Sequence, residues 1–256
     1  MPHPGKENPQ GSTFDNQLIE LESVDSTNNY AMARIHEGLA SDGLVCLARY
    51  QWAGKGQRGK SWLSEAGQNL IMSLVIEPAP LNLSRQFLFS AAVALGTLDL
   101  FHSVDLPNCR IKWPNDIYLN DRKAAGILIE SVIQGKTWPF AVVGIGMNLN
   151  QASFPAEIPN AVSLKQITGK NYEPVEVARQ LVPRIQNRIA VLKKDPDSVL
   201  RDFNQNLYYR NKPVALKLKK GKELIVATIL KVDDMGFLHT DTGVYNLGEI
   251  SLTPNA

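Results

Sequence analysis

Residues 109–150 read CRIKWPNDIYLNDRKAAGILIESVIQGKTWPFAVVGIGMNLN, and this stretch decides the fold of the chain. Short apolar runs alternate here with turn signals in PND, DRK and QGK. Proline, glycine, asparagine and aspartate interrupt extended structure, whereas β-branched and aromatic residues favour it. The stretch therefore predicts a meander of short strands in the middle of the chain.

The sequence before this meander predicts further strands in LIELESV, GLVCLARYQ and NLIMSLVIE. Asp25 or Ser26 can cap a helix over residues 27–37. Behind Ser84, apolar residues recur at intervals of three and four positions. That spacing predicts an amphipathic helix.

The sequence after the meander predicts a helical region over residues 174–194 and another helix in DPDSVLRDFNQNLYY. Pro183 inside the first region predicts a kink or a break. Short strands follow Asn211 and are typical of a small barrel. We expect a flexible tail over residues 1–16, a mixed domain over 17–208 and a barrel-like domain over 209–256.

The composition indicates an ordinary globular protein, with 256 residues, 44% apolar content and a net charge of +2. So small a charge gives no general attraction to nucleic acid or anionic lipid, and no uncharged run is apolar enough to cross a membrane. We expect Cys46 and Cys109 to be buried hydrophobes, and the histidines show no metal-ligand spacing. The N-terminus lacks the pattern of a secretory signal, so a cytoplasmic protein is expected.

The segment GKGQRGKS at residues 54–61 matches the phosphate-binding pattern G-x-x-x-x-G-K-[ST]. That pattern needs a helix beginning near Gly59, but the following WLSEAGQNLIMSLVIE is bounded like a strand. A nucleotide triphosphatase is therefore disfavoured. Two readings remain open, a loop whose cations Lys55, Arg58 and Lys60 close over a phosphate, or a solvated basic loop.

Four segments together resemble one family. They are DSTN at residues 25–28, the glycine loop behind Gln51, KWPND at 112–116 followed by IYLNDRKAAGILIE, and VVGIGMNLN, with GEISL near the end. Their order and residues are similar to those of biotin protein ligases. The resemblance implies an α+β fold with a mixed-sheet catalytic domain, related to class II aminoacyl-tRNA synthetases and lipoate ligases. It also implies a small SH3-like β-barrel domain at the C-terminus.

The family resemblance implies that biotin and ATP form biotinyl-5′-AMP with the help of Mg²⁺. The biotinyl group then passes to one lysine of a biotin carboxyl carrier domain of a carboxylase. A homodimer is compatible with the family by analogy alone. Some members carry a winged-helix DNA-binding domain, but fewer than 25 residues precede Asp25 here, so we expect none.

The resemblance also implies roles for individual residues. Catalytic roles fall to Lys123 and Lys112. We further hypothesise that Asp116, a carboxylate beside these cations, acts on the acceptor lysine or on Mg²⁺. The expected biotin contacts are Ser26, Thr27, Gln51, Lys55, Gln57, Gly126, Gly144 and Gly146. The expected ATP and adenylate contacts are Gly54, Gly56, Arg58, Gly59, Lys60, Trp62, Asn115 and Asn148.

Each of these assignments has a purely structural alternative. Ser26 and Thr27 could be helix caps, and Trp62 and Asn148 could be a core residue and a turn residue. Lys123 could be a solvated turn lysine. The sequence alone leaves these alternatives open.

The chain departs from the family in the glycine loop, which reads GKGQRG where many members read GRGRRG. Gln57 therefore stands where those members have a cation. A lipoate ligase is the second candidate because it shares the fold and the adenylation chemistry, although its arginine pair with a glycine triplet and its His-Asp segment are not found. A non-enzymatic binding module built on the C-terminal barrel is the third.

Overall fold

The computed structural model describes residues 13–104, 106, 108–219 and 223–252. The strands of its larger sheet are, in chain order, β1 (Leu18–Leu21), β2 (Val45–Ala48), β3 (Leu70–Ile76), β4 (Cys109–Lys112), β5 (Asp116–Leu119), β6 (Arg122–Gln134) and β7 (Thr137–Met147). They pair in the order β1-β2-β3-β7-β6-β5-β4. Only the β1–β2 pair is parallel among these described strands, so the sheet is mixed, as predicted.

The predicted meander is confirmed as β4 to β7, in which each strand is antiparallel to the next. Asn120 and Asp121 form the turn between β5 and β6 with φ of 47° and 64°. Positive φ at both positions is what a tight hairpin of this kind requires, and these residue types tolerate it. A register shift in this hairpin then brings Asp116, Tyr118 and Lys123 to one face of the sheet.

Helices cover both faces of the larger sheet. Helix α2 (Thr27–His36) packs on the face that carries Cys46 and Val75. On the opposite face lie α3 (Gln86–His102), α5 (Pro174–Lys194) and α6 (Pro196–Gln205). The prediction that the helix behind Ser84 is amphipathic is wrong, because α5 and α6 cover the side of α3 that the sheet does not.

Of the kink or break predicted at Pro183, the break is wrong, since α5 continues through this residue to Lys194. A proline inside a helix costs about 3 kcal/mol. Val182 and Ile185 on either side are buried in the core, and burial of such side chains contributes roughly 1.5–3 kcal/mol each. Tertiary packing therefore outweighs the local preference.

The C-terminal strands form a second sheet, with β8 (Pro213–Leu218), β9 (Leu224–Val232), β10 (Leu238–Thr240), β11 (Val244–Tyr245) and β12 (Ile250–Leu252). Their order is β11-β10-β9-β8-β12, and every pair is antiparallel. This arrangement is consistent with the predicted SH3-like unit. Trp113 attaches it to the larger sheet, since its indole Nε1 donates to the Gly236 carbonyl oxygen at 3.1 Å.

Other expectations have mixed outcomes. Residues 1–12 of the predicted tail lie outside the described residues, while residues 13–16 form helix α1 (Thr13–Asn16), whose Phe14 packs on the core. The tail prediction is therefore wrong for its last residues.

Helix α4 (Leu164–Thr168), which begins at a capping box on Ser163, was not predicted. Both cysteines are buried, as predicted, and within the described ranges no helix has the length and apolarity to cross a bilayer.

Candidate active site

A narrow cavity of about 50 Å³, here called the central cavity, opens over the middle strands of the larger sheet. Its wall combines the start of α2, part of the glycine loop and the central strands. The lining residues are Ser26, Thr27, Asn28, Gln51, Lys55, Gly56, Trp62, Ile71, Met72, Asp116, Lys123, Gly126, Ile127, Leu128, Gly144, Ile145 and Gly146. Because small-molecule pockets usually measure about 300–1,000 Å³, the cavity is too small for a ligand of that size in this conformation.

One end of the central cavity is a buried cluster of polar side chains. Thr27 donates to Gln51 Oε1 from its backbone nitrogen at 2.6 Å and from Oγ1 at 3.1 Å. Ser26 is the N-cap residue of α2, yet its side chain makes no capping hydrogen bond. Its hydroxyl, in a residue only 2% exposed, is therefore not used by the helix end. This favours the ligand role over the capping role for Ser26.

Two members of this polar cluster were missed by the sequence analysis. Ser73, on β3, lies within hydrogen-bond distance of Thr27 Oγ1 at 2.8 Å and of Asn28 Oδ1 at 2.6 Å. Asn28 also donates from Nδ2 to Glu130 Oε2 at 2.7 Å. A serine inside the apolar run LIMSLVI was the available signal, because a buried polar side chain needs partners.

The floor of the cavity is made of glycine backbone. Gly126 on β6 and Gly146 on β7 are paired across the strands, and the Trp62 ring lies over both. A Cβ atom at Gly146 would overlap the indole, so only glycine leaves room for it. The indole Nε1 is buried without a hydrogen-bond partner. Trp62 thus fills space that a ligand would need, and it does so at the cost of an unsatisfied donor.

The opposite end of the cavity is charged. Lys123 Nζ lies 2.7 Å from Asp116 Oδ1, and it also lies 5.6 Å from the centre of the Trp62 ring. The two side chains are partly buried, with 33% and 23% of their surface exposed. Partial burial weakens solvent screening of this pair. The turn-lysine alternative for Lys123 does not account for this placement.

Lys112 on β4 is the cross-strand neighbour of Asp116, so Asp116 has a lysine on each adjacent strand. Lys112 Nζ donates to the Tyr118 hydroxyl at 3.1 Å. Burial lowers the pKa of Lys112, and the Asp116 carboxylate opposes part of that shift. Lys112 itself does not line the central cavity.

The glycine loop contains no helix start of the kind that a phosphate-binding loop needs. Residues Gln57–Gly59 form a single 3₁₀ turn, in which Arg58 has a φ of 57°. The backbone then returns to an extended conformation at Lys60, and Trp62 N donates to the Gly54 carbonyl at 2.9 Å. The described loop is therefore a closed turn, which excludes the triphosphatase pattern.

The structure brings only part of the predicted loop residues to the cavity. Lys55 and Gly56 line it, and Lys55 Nζ donates to Asn29 Oδ1 and lies 3.9 Å from Glu130. Gln57 lines a neighbouring groove instead. Gly54, Arg58, Gly59 and Lys60 are not among the lining residues.

Two predicted adenylate contacts, Asn115 and Asn148, are buried and do not line the cavity. Asn115 Nδ2 donates to the Ile127 carbonyl. Asn148 Nδ2 donates to the carbonyls of Lys123 and Val162, both at 3.2 Å. In this conformation Asn148 therefore holds the backbone at Lys123, and Asn115 holds the backbone at Ile127.

Metal ligands are few at this site. Among the described residues no group of three or more His, Cys, Asp or Glu side chains could hold a metal ion. Asp116 is the one carboxylate among the residues that line the central cavity. Mg²⁺ commonly binds through one or two carboxylates together with substrate phosphates, so a single carboxylate suits a metal that arrives with a nucleotide.

Comparison with known proteins shows which family this chain is similar to. The model of the biotin/lipoate A/B protein ligase family matches residues 20–148. The biotin–[acetyl-CoA-carboxylase] ligase of Mycobacterium tuberculosis is 30% identical over 231 residues, which cover 89% of this chain and 84% of that protein. The bifunctional ligase/repressor BirA of Escherichia coli is 39% identical over 144 residues, which are 56% of this chain. That match spans only 43% of BirA.

Solved structures are similar over nearly the whole chain. The biotin protein ligase from Aquifex aeolicus in complex with biotin and ATP superposes with a TM-score of 0.76 at 28% identity. That alignment covers 93% of this chain and 99% of the Aquifex chain. The similarity therefore includes both sheets.

Proposed function

The chain belongs to the biotin/lipoate A/B protein ligase family, and we propose that it is a biotin protein ligase. A biotin carboxylate oxygen attacks the α-phosphorus of ATP, which forms biotinyl-5′-AMP and releases pyrophosphate. A lysine amine of an acceptor protein then attacks the acyl carbon and releases AMP. One observation carries the proposal: the central cavity joins a buried polar cluster to the Lys123–Asp116 pair across a glycine floor.

The polar end suits the ureido ring of biotin. A ureido group presents one carbonyl acceptor and two N–H donors, and burial requires partners for all three. The Ser26 hydroxyl makes no capping hydrogen bond, and Asn28, Gln51 and Ser73 supply further donors and acceptors around it. The glycine floor at Gly126 and Gly146 then leaves room for the apolar rings and the valeryl chain.

The charged end suits the reacting atoms. A carboxylate and a polyphosphate repel each other, so fixed cations must offset the charge that develops at the α-phosphate. Lys123 is a cation held at the charged end of the cavity wall, and Asp116 orients its ammonium group at 2.7 Å. Lys112 adds a second positive charge beside Asp116.

Asp116 has a second task in the transfer step. A lysine amine with a reference pKa of about 10.4 is mostly protonated at neutral pH and must lose a proton before it can attack. Asp116 is the carboxylate at the cavity wall, so it orients the incoming ammonium and accepts its proton. Mg²⁺ enters with ATP as part of the substrate, and Asp116 is the side chain available to contact it.

Trp62 must leave its position when biotin binds, because the cavity of about 50 Å³ is too small while the indole covers the glycine floor. A displaced indole can then pack on the adenine ring, which also relieves the unpartnered Nε1. The residues Arg58, Gly59 and Lys60 reach the nucleotide only if the loop moves with Trp62.

The acceptor is a biotin carboxyl carrier domain of a biotin-dependent carboxylase, by similarity to the Mycobacterium tuberculosis enzyme. The two free, buried cysteines suit a reducing compartment, and we assign the protein to the cytoplasm. We divide the chain into a catalytic domain over residues 17–208 and an SH3-like domain over 209–256. In support, the two sheets follow one another along the chain.

Biotin-dependent exchange of pyrophosphate into ATP tests the activation step. We expect exchange with biotin and Mg²⁺-ATP and none when biotin is left out. Exchange with lipoate alone would support a lipoate ligase, and no exchange with either acid would support a binding module. Transfer to a purified carrier domain, followed by mass spectrometry, tests the second step separately.

A further inference from the structure

The segment that joins the two sheets is bound to the edge of the larger one. The Ile111 backbone nitrogen donates to the Asn206 carbonyl at 2.9 Å, and the Tyr208 nitrogen donates to the Ile111 carbonyl at 2.8 Å. These bonds extend the sheet beyond its edge strand β4 by a short parallel bridge. The backbone before β8 is thereby fixed one residue away from Lys112.

This bridge places the Tyr208 side chain against Tyr118. Their ring centres are 5.1 Å apart, and both residues are almost completely buried. The Tyr208 hydroxyl donates to Asp121 Oδ1 in the β5–β6 turn at 2.9 Å. The Tyr118 ring is therefore held between its own strand and the joining segment.

Tyr118 in turn contacts Lys112 in two ways. Its hydroxyl accepts a hydrogen bond from Lys112 Nζ at 3.1 Å, and the same Nζ lies 5.0 Å from the centre of its ring. A desolvated ammonium group needs hydrogen bonds and nearby negative charge in place of water. The Tyr118 hydroxyl oxygen supplies one of these hydrogen bonds.

We propose that Tyr118 is a positioning residue that holds the Lys112 ammonium group for adenylate formation, and that Tyr208 keeps Tyr118 in place from the joining segment. The proposal rests on the proposed function, in which Lys112 is a cation beside the reacting atoms. It gives the segment before the C-terminal sheet a role in activation, although that segment does not line the central cavity.

Asp116 on the neighbouring strand carries the charge opposite to that of Lys112, but its Oδ1 lies 2.7 Å from Lys123 Nζ. The side chain to which Lys112 Nζ donates is Tyr118. The position of the Lys112 ammonium group therefore depends on the Tyr118 hydroxyl.

The variant Tyr118→Phe removes this acceptor and keeps the ring. We expect kcat for biotin-dependent exchange to fall about tenfold, because Lys112 Nζ loses the hydroxyl oxygen that holds it. KM for biotin should stay unchanged, because Tyr118 does not line the central cavity. Tyr172→Phe is the matched control, because its hydroxyl bonds to Thr168 Oγ1 at 3.0 Å outside the site.

Tyr208→Phe and NMR make the test independent of a single variant. Loss of the Asp121 bond should give a smaller fall in kcat, and ¹³C relaxation of the labelled Lys112 side chain reports its mobility without activity. Unchanged kcat and unchanged Lys112 mobility in Tyr118→Phe would overturn the positioning role, even if wild-type exchange is normal. No exchange in the wild type would overturn the proposed function, whereas the lysine relaxation would still decide whether Tyr118 holds Lys112.

Discussion

The cations around the central cavity come from two regions that differ in how firmly they are held. In the β4–β6 hairpins, Lys112 and Lys123 lie on neighbouring parts of one sheet and each contacts a partner on β5. In the glycine loop, Arg58 and Lys60 are exposed, and Arg58 occupies a positive φ. The sheet therefore holds both of its cations before any ligand is bound, whereas the loop holds Lys55 against Asn29 and Glu130 but leaves Arg58 and Lys60 exposed.

This difference suggests a division of work between the regions. Transition-state stabilisation needs groups that are already oriented, because reorienting them during the reaction costs free energy. Retention of a product needs a segment that can open and close. We infer that the hairpins serve the chemistry and that the glycine loop serves entry and retention.

Replacing the best-held cation should have the largest effect. Lys123→Met keeps the stem that packs beside Trp62 and removes the charge. We expect biotin-dependent exchange to fall by ~10²–10³, the usual loss for one preorganised electrostatic contact. Lys136→Ala, in the exposed turn between β6 and β7, is the control and should match the wild type. Equal losses in the two variants would contradict the division between regions.

A smaller loss is expected for Asp116→Asn, which keeps the size of the side chain and removes its charge. The transfer to an acceptor lysine should slow by about 10²-fold, because the incoming ammonium loses its proton acceptor. Adenylate formation should slow less, since Lys123 keeps a hydrogen-bond partner. Single-turnover rates of both half-reactions measure this difference. Wild-type rates in both half-reactions of Asp116→Ala would remove Asp116 from the mechanism.

Much of the fold was predictable because local patterns and tertiary contacts agree. The hairpin turns, the β4–β7 meander and the C-terminal strands follow from residue types at fixed spacings. The failures occur where packing overrides the local pattern, as in the burial of α3 and the continuous helix through Pro183. The local sequence pattern of a helix does not predict which other helices or strands will pack against its outer face.

The site was predictable where motif residues point into the cavity, as at Ser26, Gln51, Lys123 and the floor glycines. Ser73 was missed because it lies outside every motif, and only the folded sheet brings it to Thr27 and Asn28. Conversely, the amides of Asn115 and Asn148 bind backbone carbonyls in this conformation. A motif gives the residue type that a position needs but not the partner that satisfies it.

Replacement of Trp62, at the end of the glycine loop, should have a moderate effect that strengthens biotin binding and weakens ATP binding. Trp62→Ala removes the indole that covers Gly126 and Gly146, so biotin binding without ATP should tighten. KM for ATP should rise by roughly three- to tenfold as a stacking partner is lost. Calorimetry with biotin and exchange kinetics with ATP measure the two effects. Trp52→Ala, at a neighbouring residue that is 66% exposed, is the control, and weaker biotin binding in Trp62→Ala would contradict the blocking role.

The smallest effect is expected at Gln57, where many biotin protein ligases have arginine. Gln57 faces the groove beside the central cavity, on a turn that must move to reach an adenylate. A surface cation contributes only about 0.2–1 kcal/mol, so Gln57→Arg should slow adenylate release by at most about fivefold. Release is measured by chasing labelled biotinyl-5′-AMP with excess unlabelled ligand, and a higher salt concentration should cancel the gain. Unchanged release, or slower release that resists salt, would mean that the loop does not retain the adenylate by charge.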